Sequence, residues 1–211
     1  MNVLGQLPSS INVYLGLILV LTVLGAVNAF LPQGSFTSMA TEQQIPASRP
    51  VMALVTASTM LILYGGLGFI GLQLAQKVGV AALWDAAVSN HQRFVLPALA
   101  GVGTGVFFIV ADFFLKSLHP LGALPHPPFP TSLVASAVAG IGEEVIFRLF
   151  FIPLWTWLVS TVLLQGRYES EVFWGVAAFS ALAFAVSHVP MVTAAFGMES
   201  ASEMPLALTG E

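Results

Sequence analysis

Hydrophobic and polar positions alternate along the chain in long blocks, and the apolar blocks have the lengths that a bilayer requires. Runs of mostly apolar residues cover 13–31, 51–75 and 94–115. A transmembrane helix needs about 20 apolar residues, because the hydrocarbon core is about 30 Å thick and each helical residue rises about 1.5 Å. Each run therefore predicts one membrane-spanning helix.

The fourth apolar region, 132–164, is too long for a single span and contains Pro153. Proline lacks a backbone N–H and crowds the preceding helical turn, so the pattern predicts two helical pieces that separate at Pro153. A last run, 172–189, predicts a final membrane helix that ends before Pro190. The fold class predicted from these runs is all-α, a multi-pass transmembrane helix bundle of about five to six membrane segments.

The segments between the runs are polar or rich in turn residues. Residues 32–50 predict a loop, and 76–93 predict a helix lying in the membrane interface, since charges are spaced among apolar positions. In the proline-rich segment 116–131, His119 and His126 fit a polyproline-like loop better than a metal site.

The end of the chain, 191–211, is acidic and too polar to span a membrane. We therefore predict a membrane-embedded domain over 1–190, with its chemistry concentrated in 132–190, and an exposed, poorly ordered tail over 191–211.

Composition supports the membrane assignment and excludes several functions. The chain is 57% hydrophobic and 8% charged, whereas a soluble domain carries about 25% charged residues. Six Lys and Arg stand against ten Asp and Glu, for a net charge of -4, so no basic stripe is available for nucleic acid, and the bilayer is the predicted partner. The absence of cysteine excludes disulfides, thiolate metal sites and a cysteine nucleophile.

Three ionisable residues, Glu143, Glu144 and Arg148, lie inside the apolar region 132–164. Each would cost roughly 2.5 to 3.5 kcal/mol at the centre of a membrane helix, and such residues are functional by default. On a helix Glu144 and Arg148 are four residues apart and are predicted to form a buried pair. Glu143 points about 100° away, so it requires a polar cavity or a counter-charge from elsewhere. A purely structural pair explains Glu144 and Arg148 but not Glu143.

His188 lies at the end of the last predicted membrane helix, one turn after Phe184. A single histidine in this position is usually a capping or interfacial residue. If its helix packs against the Glu143 helix, the two side chains share a water, with Glu143 as general base and His188 orienting the water. The sequence has neither a His-Glu-x-x-His zinc motif nor a Gly-x-Ser-x-Gly elbow, which leaves a glutamate route to hydrolysis.

These residues resemble the motifs of the CAAX prenyl protease and bacteriocin-processing family, the type II CAAX prenyl endopeptidases and their bacterial relatives. Glu143-Glu144-Val145-Ile146-Phe147-Arg148 is similar to the first motif, Glu-Glu-x-x-x-Arg, and Phe184 to His188 is similar to the second, Phe-x-x-x-His. The resemblance covers roughly 140–190.

The resemblance implies an intramembrane glutamic endopeptidase of the bacterial or archaeal plasma membrane. Its catalytic residues would be Glu143 and His188, which activate water, with Glu144 and Arg148 in support and Phe184 beside them. The implied substrates are membrane-associated peptides or proteins, prenylated or bacteriocin-like. The glutamate mechanism requires no cofactor, although the family has also been described with a divalent metal.

The sequence departs from the family pattern at two points. Leu149 stands where the family usually has glycine, which predicts restricted backbone approach there. The family's third motif, a histidine followed four residues later by Asn or Asp, is not found, since no histidine follows His188. Losing oxyanion donors typically removes about 2.7 to 4 kcal/mol of transition-state stabilisation, so weak or absent activity is expected, as in a truncated gene product or a divergent relative.

Three functions remain open from the sequence. The first is peptide-bond hydrolysis within the membrane, which the position of Glu143 favours. The second is a non-catalytic bacteriocin self-immunity or membrane scaffold protein, which the missing third motif favours. The third is a proton or ion pathway built on the same charges.

Overall fold

The computed structural model describes residues 7–33, 48–80, 83–84, 88–118, 126–196 and 198, and their regular structure is entirely helical. Five helices in these ranges are long and apolar enough to cross a membrane. They are α1 (Leu7–Asn28), α2 (Arg49–Lys77), α3 (His91–Leu115), α4 (Thr131–Leu163) and α5 (Glu169–Ala195). The prediction of an all-α, multi-pass integral membrane protein is confirmed.

Helix α4 does not break at Pro153, so the prediction of two separate pieces is wrong. Two π-helical segments, Glu144–Phe151 and Trp157–Leu163, lie on either side of the short α-helical stretch Ile152–Thr156, which contains the proline. The π segment directly before Pro153 has wider turns, which make room for the proline ring. The hydrogen bond that the proline cannot donate is also less needed there. The 33 residues of α4 are therefore continuous.

Helix α5 also differs from its predicted limits. It begins at Glu169 and continues through Pro190 to Ala195 instead of ending before the proline. Membrane helices tolerate an interior proline when neighbouring groups satisfy the freed backbone positions.

Several predictions concern residues outside the described ranges. They include most of the loop 32–50, part of the interfacial segment 76–93, His119, and the tail beyond residue 198. The predicted boundary between a 1–190 domain and a 191–211 tail stays a prediction.

The described helices fall into two compact units. The first contains α1, α2, α4 and the part of α5 that ends at Val186, and the second contains α3 and the rest of α5. In the second unit, edge-to-face pairs join Phe107 to Phe108 and Phe113 to Phe114, and the Lys116 ammonium lies 4.8 Å from the centre of the Phe113 ring.

The core of the first unit joins α1, α2 and α4. Its buried side chains are Tyr14, Ile18, Leu21, Leu72 and Val145. The Tyr14 hydroxyl donates a hydrogen bond to the Gly65 carbonyl of α2. Because the lipid environment gives little hydrophobic drive for helix association, this close packing holds the three helices together, and the hydrogen bond adds to the contact of α1 with α2.

Helix α2 ends in a glycine cap, and the chain that follows the cap is hydrogen-bonded to α1. Gly79 has φ of +66°, a left-handed conformation that costs glycine little. The Val80 N–H donates to the Ala75 carbonyl at 3.0 Å, as in a Schellman motif. Past this turn, the Trp84 N–H donates to the buried Ser10 hydroxyl of α1 at 3.2 Å.

Candidate active site

The two helices that carry the sequence motifs pack directly against each other in the first unit. The Ser180 hydroxyl of α5 donates to the Phe147 carbonyl of α4 at 3.3 Å. The rings of Phe147 and Phe184 meet edge to face, with their centroids 5.2 Å apart, and those of Phe151 and Phe179 stack at 6.0 Å. The condition set by the sequence, that the helix of the second motif packs on the Glu143 helix, is therefore met.

A cavity of about 340 Å³ opens between α4 and α5. Its volume lies within the range of small-molecule and substrate sites. Four of the predicted site residues line it: Glu143, Glu144, Arg148 and Phe184. The other lining residues are Gly140, Phe147, Ile152, Ala177, Ser180 and Ala181. The cavity places Glu143 beside Glu144 and Arg148 in a lining whose other residues are mostly apolar.

All three charged residues reach one cavity because their spacing places them on one face of α4. Together with Gly140 and Phe147 they recur at intervals of three and four residues. Helix α4 changes from α-helix to π-helix between Glu143 and Glu144. On a regular α-helix these two side chains would point about 100° apart, and the sequence predicted that Glu143 would point away from the ion pair. In the structure both carboxylates line the same cavity, while the direction of the Glu143 side chain relative to the pair stays a prediction. Irregular π turns of this kind are frequent at functional sites.

Glu144 and Arg148 form the predicted pair, but the pair is not buried. The Arg148 Nη2 atom lies 3.8 Å from the Glu144 Oε1 atom, and the two side chains are 69% and 62% exposed. The cause is the open cavity on this side of α4, which leaves both side chains accessible. A pair exposed in this way contributes little to stability.

Because the pair is exposed, variants at Glu144 and Arg148 should change the free energy of unfolding only slightly. In a double-mutant cycle of Glu144→Gln and Arg148→Gln, we expect a coupling energy of about 0.2 to 1 kcal/mol, because both side chains are exposed and exposed pairs couple weakly. Chemical unfolding in detergent would measure the parent, both single variants and the double variant. A coupling of about 3 kcal/mol or more would contradict an exposed pair, since that value is typical of breaking a buried one.

Ser180 is a site residue that the sequence reasoning missed. Its side chain is 3% exposed and holds the two helices together at the cavity wall. The signal was present in the spacing, since Ser180, Phe184 and His188 are successive residues of one i,i+4 row. Ala177 and Ala181, which also line the cavity, are small and carry no such signal.

His188 follows Phe184 by one turn on α5 and belongs to the second unit, whereas Glu143 belongs to the first. The Ser187 hydroxyl lies 3.4 Å from the His188 Nδ1 atom. Both Glu143 and His188 make interactions in the structure. The roles proposed for them do not require that either side chain lacks a partner. That they act on one water stays a prediction.

The residues around Glu143 do not fit a metal site. Within the described ranges, no three His, Asp or Glu side chains cluster as ligands. The nearest second carboxylate, Glu144, is already paired with Arg148, and a neighbouring guanidinium disfavours a bound cation.

Leu149 does not restrict backbone approach as the sequence predicted. A β-carbon added to Gly71 of α2 would lie 2.2 Å from the Leu149 carbonyl oxygen. The backbones of α2 and α4 thus touch directly at this point, and the glycine that permits it lies on α2.

Comparison with known proteins places these motifs in a family. Residues 125–209 match the family model described as type II CAAX prenyl endopeptidase Rce1-like. A stretch of 71 residues is 38% identical to phosphoribosylformylglycinamidine synthase subunit PurL of Azorhizobium caulinodans; it covers 30% of this chain and 10% of that protein. The chain thus spans about a tenth of that relative's length, and no activity is inferred from this similarity. No solved structure matches the chain.

The matched region contains both motifs, the whole of α4 and α5, and every residue predicted for the site. Over this region, about two fifths of the chain, the integral membrane protein is similar to the type II CAAX prenyl endopeptidases.

Proposed function

We propose that the protein is an intramembrane endopeptidase that hydrolyses peptide bonds near the C-termini of membrane-associated peptides or proteins. The observation that supports this most is the cavity between α4 and α5, in which Glu143, Glu144 and Arg148 all lie within a helix apolar enough to span the bilayer. Maintaining three charges there is costly, and the family match supplies a reaction that uses them.

In the proposed reaction Glu143 is the general base. Its carboxylate accepts a proton from a water molecule while the water oxygen forms a bond to the scissile carbonyl carbon. The resulting tetrahedral species collapses as the C–N bond breaks, and the proton passes from Glu143 to the leaving nitrogen. The products are a new carboxylate and a free amine, and no cofactor is consumed. His188 orients the water, a role proposed from the second motif.

Arg148 and Glu144 support this reaction through charge. The Arg148 guanidinium lines the same cavity as Glu143, where a positive group stabilises the oxyanion of the tetrahedral species. Glu144, 3.8 Å from Arg148, holds the guanidinium toward the cavity. A single arginine near the reacting bond also favours substrates whose new or original C-terminus is a carboxylate.

We propose the bacterial or archaeal plasma membrane as the location, and a lipid-modified or strongly apolar peptide as the substrate. An apolar anchor would bring the substrate into the plane of the bilayer where the cavity lies. The prenylated C-terminus named by the matching family is the first substrate to test.

The direct test is cleavage by the purified protein in proteoliposomes. A fluorescent peptide that ends in a farnesylated cysteine and three further residues should lose those three residues, as seen by mass spectrometry. The same peptide without the farnesyl group serves as the matched control and should be cleaved much more slowly, because it does not partition into the bilayer. If neither peptide is cleaved, nor an apolar bacteriocin precursor peptide, the proposal is wrong.

A further inference from the structure

A close backbone contact lies behind the candidate site, where α2 packs against the π-helical segment of α4. A β-carbon added to Gly71 would lie 2.2 Å from the Leu149 carbonyl oxygen and 2.7 Å from the Phe150 Cα. Both neighbours are backbone atoms, so no side-chain rotation can relieve the contact. Only glycine fits at this position without moving one of the helices.

A second glycine, one turn earlier on α2, makes a similar contact with side chains. A β-carbon at Gly68 would lie 2.8 Å from the Val145 Cγ1 atom and 2.9 Å from the Tyr14 Cε2 atom. Val145 is buried in the core of the first unit. Gly68 and Gly71 thus form a smooth surface on α2, and Val145 and Leu149, one turn apart on α4, lie against it.

The segment held in this way is the one that carries the charges. The π-helical stretch Glu144–Phe151 begins at the residue after Glu143 and includes Arg148. Its other side faces the cavity. The depth to which α4 settles on α2 therefore sets how far Glu143 and Arg148 project into the cavity.

We infer that Gly71, assisted by Gly68, is a positioning residue for this site. Direct backbone contact with α2 fixes the π segment so that Glu143, Glu144 and Arg148 reach one cavity. The inference rests on the proposed function for its link to catalysis, whereas its geometric part stands independently. The inference also explains why α4 can carry Leu149 where the family usually has glycine. The two backbones still approach closely there, because the glycine at the contact is Gly71 of α2.

Gly71→Ala is the variant that tests the inference. An ordinary contact requires about 3.4 Å, so the added methyl would push the π segment roughly 1 Å away from α2 and toward α5. A misplacement of about 1 Å at a catalytic site costs on the order of 100-fold in rate. We expect kcat to fall by about 100-fold and KM to change much less, because Gly71 lies outside the cavity lining and acts only through the position of the charged residues.

Gly66→Ala is the matched control. Gly66 lies on the same helix, and a β-carbon there meets nothing within 4 Å. The substitution adds the same methyl group and the same helix propensity without touching α4. It should leave kcat at the parent value.

A distance measurement separates this inference from the proposed function. The chain has no cysteine, so Phe151→Cys and Phe179→Cys provide a unique pair across α4 and α5, where the parent rings stack at 6.0 Å. Thiol cross-linkers of graded length would be applied in the parent, Gly66→Ala and Gly71→Ala backgrounds. We expect a shorter reagent to suffice only with Gly71→Ala. This result does not require turnover, so a protein that cleaves nothing would still report on the geometry.

Should Gly71→Ala fail to fold, Gly68→Ala provides the second test. Its shortest contact is with a Val145 side-chain atom, so adding Val145→Ala should return the cross-linking pattern and kcat toward the parent values. Unchanged cross-linking in Gly71→Ala, or equal behaviour of Gly68→Ala with and without Val145→Ala, would overturn the inference.

Discussion

Glu143→Gln is expected to lower turnover of a cleaved peptide by about 10²- to 10⁴-fold, the usual contribution of a general base. The amide keeps the size of the side chain but cannot accept a proton from water. Because Glu143 is only half-buried at the cavity wall, the change should not unfold the protein. Initial rates in proteoliposomes, with thermal unfolding measured alongside, would show both effects.

The matched control for this prediction is Glu171→Gln. Glu171 is an exposed carboxylate in the first turn of α5, and it lies outside the cavity lining. The control loses the same charge and should retain full turnover. Parent-like turnover in Glu143→Gln, at parent-like protein stability, would reject Glu143 as the base.

His188→Ala is expected to reduce turnover on a similar scale, about 10²- to 10⁴-fold, if the imidazole orients the attacking water. His126→Ala is the control, since His126 is an exposed histidine in the segment before α4. Both variants remove one imidazole, so a general effect of histidine content would appear in both. Full activity in His188→Ala would exclude the proposed role of the second motif.

The double variant of Glu143→Gln and His188→Ala tests whether the two residues act on one water. Groups that act as a unit are strongly non-additive, so the double variant should lose little more than the worse single variant. Independent roles would give losses that multiply. The comparison depends only on rates, so it tests the joint action of two residues that belong to different units.

The sequence alone determined the fold class and identified the charged residues that line the cavity. The runs at 13–31, 51–75 and 94–115 coincide closely with α1, α2 and α3, because a bilayer imposes a fixed length of apolar helix whatever lies beside it. The motif at Glu143, Glu144 and Arg148 was recognisable because charges within an apolar run are rare. The four-residue spacing also predicted the ion pair correctly.

The tertiary structure decided the matters that depend on segments distant in sequence. Whether Pro153 breaks α4 depends on the π turns around it, and the packing of α5 against α4 forms the cavity that Glu143 shares with the ion pair. The exposure of Glu144 and Arg148 depends on the space between α4 and α5, which hydropathy does not measure. The role of Leu149 could not be judged from its own position, since the glycine that lies against its backbone is Gly71, on another helix. Apolar length is a local property of the chain, whereas packing depends on which backbone surfaces meet.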